Sequence, residues 1–135
     1  MKLYLAGPMR GYEDFNFPAF HARASELRAM GHEVFSPAEK DEEQFGAAAF
    51  RGSVELQETR AAAAGFDLRR ALLMDLESIC TNADGIALMR GWERSLGATA
   101  ENAVARALNL RRFIEISGGG WAEIGQTSTL TDIRS

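Results

Sequence analysis

Cysteine and histidine are scarce in this chain. A single cysteine, Cys80, excludes an internal disulfide, and with only His21 and His32 beside it a zinc site has too few soft ligands. Cys80 is therefore read as a core thiol, the histidines as surface or capping residues, and no metal is expected. Positive charge is also short. Lys and Arg number 15 against 19 Asp and Glu, a formal net charge of −4, which offers no net attraction to a polyanion. Nucleic acid polymers and anionic membrane surfaces are thus poor partners, while a small anion held by local groups stays open. No apolar run reaches transmembrane length, and Met1-Lys2 leads directly into strand-like Leu3-Tyr4-Leu5-Ala6 instead of a signal peptide's longer apolar core, so a cytoplasmic protein is expected. What is present is ample apolar content: 46% of 135 residues, enough for one core and one domain.

Strand and helix patterns alternate along the chain. Lys2 to Ala6 reads as a short strand ending in the turn Gly7-Pro8-Met9-Arg10-Gly11, whose glycines let backbone N–H groups approach an anion and whose arginine can fork onto phosphate oxygens. The same turn can also be only a turn. Asn16 and Pro18 open a helix carrying Phe17, Phe20, Ala24, Leu27 and Met30 at helical spacing, and Val34-Phe35 form a second strand that Pro37 ends. Residues 40–66 show no clean period and are expected to be a variable loop with a short helix. Asp67 caps a helix through Leu68, Leu72, Leu73, Leu76 and Ile79, whose stripe faces the core. Asp75 lies beside that stripe toward the helix's carboxyl end, where the dipole disfavours a negative charge; it is either a functional carboxylate or a solvated one near Arg70 and Glu77. Gly85 to Met89 is a third strand, residues 98–109 a helix, and Phe113 to Ile116 a last strand. Trp92, in the loop after the third strand, can stack on a base or anchor the core. The segment 118–135 is expected to be a flexible tail unless a neighbouring subunit holds it.

This order predicts a single-domain α/β protein, a Rossmann/flavodoxin-like three-layer sandwich around a parallel sheet of four to five strands. Ligands of such sheets bind at the carboxyl ends of the strands, where helix N-termini receive anions. Ser95-Leu96-Gly97-Ala98-Thr99-Ala100-Glu101 occupies such a place. Ser95 and Gly97 are placed to hold a phosphate, and Glu101, a turn further in, to present a carboxylate to the sugar that carries it. The plainer alternative makes Ser95 an N-cap and Glu101 a solvated first-turn charge.

Three pieces taken jointly decide between these readings: Tyr4-Leu5-Ala6-Gly7-Pro8-Met9-Arg10-Gly11, Asp75-Leu76 with Ala83-Asp84, and Ser95-Leu96-Gly97 with Glu101. Together they resemble the nucleoside 2-deoxyribosyltransferase superfamily, and within it the 2'-deoxynucleoside 5'-phosphate N-hydrolases. A group of uncharacterised phage and bacterial relatives is similar through Phe15-Asn16-Phe17-Pro18-Ala19-Phe20, Gly31-His32-Glu33-Val34-Phe35 and Gly91-Trp92-Glu93. The likeness spans about residues 2–116, apart from the middle segment, so that 1–117 is taken as the domain. It implies that Glu101 is the nucleophile, Asp75 assists the leaving base, Tyr4 orients Glu101, and Arg10, Ser95 and Gly97 contact the 5'-phosphate; the loop glycines Gly7 and Gly11 and the loop Trp92 are taken, on their own reading above, as further substrate contacts. Pro8 stands where the hydrolases carry a serine, which leaves the phosphate one contact poorer. Those enzymes also borrow a residue near the C-terminus of a partner subunit, which implies a homodimer or higher homo-oligomer; Thr129 and Thr131 are the positions considered for it. The expected reaction is hydrolysis of a (2'-deoxy)nucleoside 5'-monophosphate to free base and sugar phosphate, without metal or other cofactor. The alternatives are base exchange by a deoxyribosyltransferase and a nucleotide-binding module without turnover.

Overall fold

The computed structural model describes residues 1–125. Strand β1 (Lys2–Ala6) lies between β2 (Glu33–Phe35) and β3 (Gly85–Leu88), parallel to both, and β4 (Arg111–Glu115) runs parallel to β3. A fifth strand, β5 (Trp121–Ile124), pairs antiparallel with β4, giving the order β2-β1-β3-β4-β5. This is the flavodoxin-like order with an antiparallel edge, and it puts the topological switch point between β1 and β3.

Alternation along the two central strands builds a core on each face of the sheet. Leu3, Leu5, Ala87 and Met89 face helix α1 (Phe17–Ala29), where Phe17, Phe20, Ala24 and Leu27 repeat at helical spacing and are buried. Tyr4, Ala6, Ile86 and Leu88 face helices α4 (Leu68–Asn82) and α5 (Leu96–Ala107), which contribute Ile79, Ala98 and Ala105. β1 and β3 are covered on both sides, which is why they read as nearly continuous apolar runs. Among the described residues no helix is long and apolar enough to cross a membrane.

The structure corrects the sequence reading in four places. Residues 40–66 are not mainly loop: α2 (Pro37–Phe45) starts directly after β2, and short 3₁₀ turns lead to α3 (Gln57–Ala63). Pro37 ends the strand by opening a helix at its first position, where a missing N–H costs nothing. The expected tail from residue 118 begins too early, because Gly118, Gly119 and Gly120 at φ +94°, +113° and +88° form the turn into β5. Trp121 then packs against the α1-side core and donates from Nε1 to Glu26 Oε1 at 2.7 Å, while Arg111 forks onto Glu123 at 2.7 and 2.8 Å. Residues 126–135, with Thr129 and Thr131, lie outside the described residues. Cys80 is exposed, since its neighbour Ile79 takes the inward position on α4. Finally, Leu68 and Leu73 of the expected core stripe are exposed, because α4 divides its inner face between the core at Ile79 and a cavity at Leu68, Ala71, Leu72 and Asp75.

Candidate functional site

A cavity of about 600 Å³ opens at the carboxyl ends of β1, β2 and β3, where the switch point predicts a ligand site. The loop after β1, the first turns of α2, the inner face of α4 and the N-terminal turns of α5 form its wall. Glu101, Asp75, Gly7, Arg10, Ser95 and Gly97, each anticipated from sequence, all line it. Tyr4 stands directly behind Glu101. Gly11 and Trp92 are not in the lining; Gly11 sits at φ +86° in the turn, and Trp92 packs half-buried on the α4/α5-side core, which is the anchoring alternative. His21 and His32 stay away from the cavity, paired with Glu42 at 2.9 Å and with the N-terminal amine at 3.2 Å.

Glu101 owes its position to a capped helix start. Ser95 Oγ accepts from the Ala98 N–H at 3.1 Å, and Thr99 Oγ1 donates to the Ser95 carbonyl at 2.7 Å, which fixes the first turn of α5. One turn on, Glu101 points inward and is only 6% exposed. Tyr4 is on the α5-facing side of β1 by strand alternation, is fully buried, and donates from Oη to Glu101 Oε2 at 2.6 Å. Phe35 stacks on its ring at 5.5 Å between centroids. Ser95 is thus an N-cap, as the plainer reading had it, but Glu101 is not a solvated charge.

Asp75 sits mid-way along α4 rather than near its end, so the helix dipole is not its main cost. Burial is, and it is met by a residue that the sequence reading passed over. Lys40 Nζ lies 2.7 Å from Asp75 Oδ1 and 3.4 Å from Asp41 Oδ1, and reaches the Ala71 carbonyl at 3.4 Å. Lys40 and Asp41 belong to the first turns of α2, a helix obscured by its polar run Glu39-Lys40-Asp41-Glu42-Glu43-Gln44. The available signal was Pro37 directly after a strand, which marks a helix N-terminus at the strand's carboxyl end. Arg94, on the loop before α5, joins Arg10 as a second cavity cation, with no motif of its own to mark it in the sequence.

On the opposite wall, the loop after β1 is held in costly geometry. Gly7 cannot carry a side chain, since a Cβ there would stand 2.8 Å from Met89 Cβ. Asp14, Phe15 and Asn16 are consecutive left-handed residues at φ +52°, +53° and +62°. Each costs about 1–3 kcal/mol and persists only where surroundings enforce it. Here Asp14 exchanges two hydrogen bonds with Gly52, at 2.6 and 2.9 Å, Asn16 Nδ2 donates to the Pro8 carbonyl at 2.9 Å, and buried Gln57 donates to the Tyr12 carbonyl. The result turns Phe15 into the cavity wall against Phe50 and Phe17. Arg10, at the rim, is largely exposed and lies 3.4 Å from Glu58.

Crowding of acids sets the electrostatics. Burial pushes the Glu101 carboxyl up to about 8; the Tyr4 hydroxyl opposes this, the Asp75 charge adds to it, and Lys40 offsets part. Asp75 is raised by burial against the pull of Lys40, and Asp41 is raised by burial to about 6. Tyr4 itself is driven well above its ordinary range by burial and by the Glu101 and Asp75 charges, so it remains a donor. Near neutral pH this arrangement provides two carboxyls, Glu101 and Asp41, that can gain or lose a proton, a third held by an ammonium, and a rim with two guanidinium groups.

A flavodoxin-like α/β domain with an acid-lined cavity at its switch point is the class that these features define. The chain belongs to the family described as a domain of unknown function (DUF4406), whose model matches residues 1–113, from β1 into β4, and so contains every cavity residue named above. No curated protein and no solved structure matches it.

Proposed function

We propose that this protein hydrolyses the N-glycosidic bond of a (2'-deoxy)nucleoside 5'-monophosphate, with Glu101 as nucleophile. The observation that carries the reading is the 2.6 Å bond from the buried Tyr4 hydroxyl to a Glu101 carboxyl that lines the same cavity as Asp75. A sugar carbon losing its base becomes cation-like, and a carboxylate on the face opposite the base traps it. The C1'–N bond breaks with its electron pair on the base, which takes a proton from the Asp75 carboxyl, and the C1'–O bond to Glu101 forms. Water then attacks C1', gives its proton to Asp75 and releases Glu101. Tyr4 holds one carboxyl oxygen so that the other faces the sugar. Arg10, Arg94, Ser95 and the first N–H groups of α5 serve the 5'-phosphate. The exposed Leu96 and Leu68 at the mouth, 91% and 47% accessible, support closure of the site by a second copy of the chain.

Base exchange is the second reading. Pro8 in the phosphate loop and the Arg10–Glu58 contact at 3.4 Å favour a substrate without a phosphate. The test is incubation with a deoxynucleoside monophosphate mixture and an excess of labelled free base. Hydrolysis predicts sugar phosphate in step with base release. Label entering nucleotide faster than sugar phosphate appears supports exchange, and no base release from any nucleotide or nucleoside leaves a binding module.

A further inference from the structure

Asp41 has no duty in the scheme above, yet it is 4% exposed, lines the cavity, and has an Oδ1 atom without a hydrogen-bond donor. Lys40 Nζ is 3.4 Å from that oxygen but directs its shorter contact, 2.7 Å, to Asp75. A buried carboxylate left unpaired costs about 1–3 kcal/mol; Oδ1 is closed off from solvent, and the rest of the Asp41 carboxylate, on the cavity wall and without a hydrogen bond among the described residues, is what can receive a donor from a ligand.

We propose that Asp41 selects the leaving base by accepting a hydrogen bond from its exocyclic amino group, so that the site takes amino-bearing nucleobases over their keto counterparts. This rests on the N-glycosidase reading. The chemistry of the wall points to the amino group. Asp41 and Asp75 converge on one nitrogen, that of Lys40, at 3.4 and 2.7 Å, so a base seated against the Asp75 carboxyl that protonates it has an edge beside Asp41, where an amino group can donate. Lys40 donates to Asp75 Oδ1 and the Ala71 carbonyl and is not part of the cavity lining, so this wall offers no ammonium donor to a base carbonyl. A keto base therefore turns an oxygen toward acceptors. Its ring N–H reaches a carboxylate only by bringing that carbonyl along. The surrounding wall of Phe50, Phe66, Leu72 and Ala71 suits a flat apolar ring body.

The experiment compares two near-isosteric pairs, dCMP with dUMP and dAMP with dIMP, in the full chain. Wild type is expected to favour the amino member of each pair in kcat/KM by roughly tenfold or more, as for one hydrogen bond to a charged acceptor. Asp41→Asn, which keeps the shape and presents an amide, is expected to bring each ratio to near unity by losing the amino substrates alone. Equal preference in wild type, or a uniform loss on all four substrates with the ratios kept, overturns the proposal. Asp41→Ala provides the same comparison if the amide variant fails to fold. Calorimetric binding of the four nucleotides runs in parallel and needs no turnover. If nothing is hydrolysed, the glycosidase reading falls, and an amino preference in binding that Asp41→Asn removes still upholds Asp41 as the selector. Absence of that preference, or of binding, refutes it.

Discussion

Glu101→Gln separates what the carboxyl does for chemistry from what it costs the fold. Burial raises this group from 4.5 to about 8, so between those pH values the native state keeps a proton that the unfolded chain has lost. Its contribution to stability is therefore full below pH 4.5 and is lost as pH rises through about 8. At about 1.36 kcal/mol per unit, the cost is roughly 3 kcal/mol at pH 7 and approaches roughly 5 kcal/mol above pH 9. Glutamine keeps the shape, still accepts from Tyr4 through its amide oxygen, and cannot ionise. The variant should be more thermostable than wild type, by a margin that widens from pH 5 to pH 8. For a domain of this size each kcal/mol moves Tm by about 4 °C, so the margin should grow by on the order of 10 °C. Subtracting one protein's curve from the other's removes the titration of groups that both share and leaves Glu101 with its coupling to Asp75. Scanning calorimetry at several pH values measures it, and the same preparation should release no base while still binding nucleotide. A margin constant within about 2 °C across that range would refute the argument that Glu101 is the buried titrating acid.

Tyr4→Phe removes the donor that favours the ionised carboxylate, so the Glu101 pKa should rise further and the ascending limb of kcat/KM against pH should move to higher pH, with kcat down about tenfold to a hundredfold; an unmoved limb would mean that Tyr4 does not act through Glu101. Arg10→Ala should lower kcat/KM for a deoxynucleoside monophosphate by roughly tenfold and leave the matching nucleoside unchanged, because a charged hydrogen bond is worth about 1.5–3 kcal/mol; equal loss on both substrates would place Arg10 outside phosphate recognition.

How far the sequence led can be judged element by element. Strands β1 and β3 were legible because burial on both faces demands uninterrupted apolar residues, and α1 because Phe17, Phe20, Ala24 and Leu27 repeat at helical spacing. β5 was hidden because an edge strand of four residues carries little pattern: its hold on the fold comes from Trp121 bonding to Glu26 on α1, a contact 95 positions apart. The same holds for Lys40 and Asp41. α2 is short and mostly polar, so its period is faint, and a lysine among acids reads as a solvated face until the fold brings Asp75 onto it. Cys80 and Leu73 were placed inward by a stripe that ignored the cavity, since a helix bordering a pocket need not bury its whole inner face. Residues that bind through distant partners leave almost no local trace.

Tyr4 is assigned to the site by the family resemblance alone, yet a local rule places it. In β1 its place is fixed by alternation: Leu3 and Leu5 must face α1, so Tyr4 and Ala6 face α4 and α5. A slip of one residue would send the hydroxyl into the Phe17–Phe20 core and remove the donor from Glu101. The register that buries the strand is thus the register that presents the phenol to α5, and Ser95, six residues before Glu101, sets the rotation of α5 by capping Ala98. Two local rules, strand alternation and helix capping, bring two side chains 97 positions apart to 2.6 Å. The placement of this pair follows from rules local to the sequence, whereas that of Lys40 and Asp41 follows only from the fold.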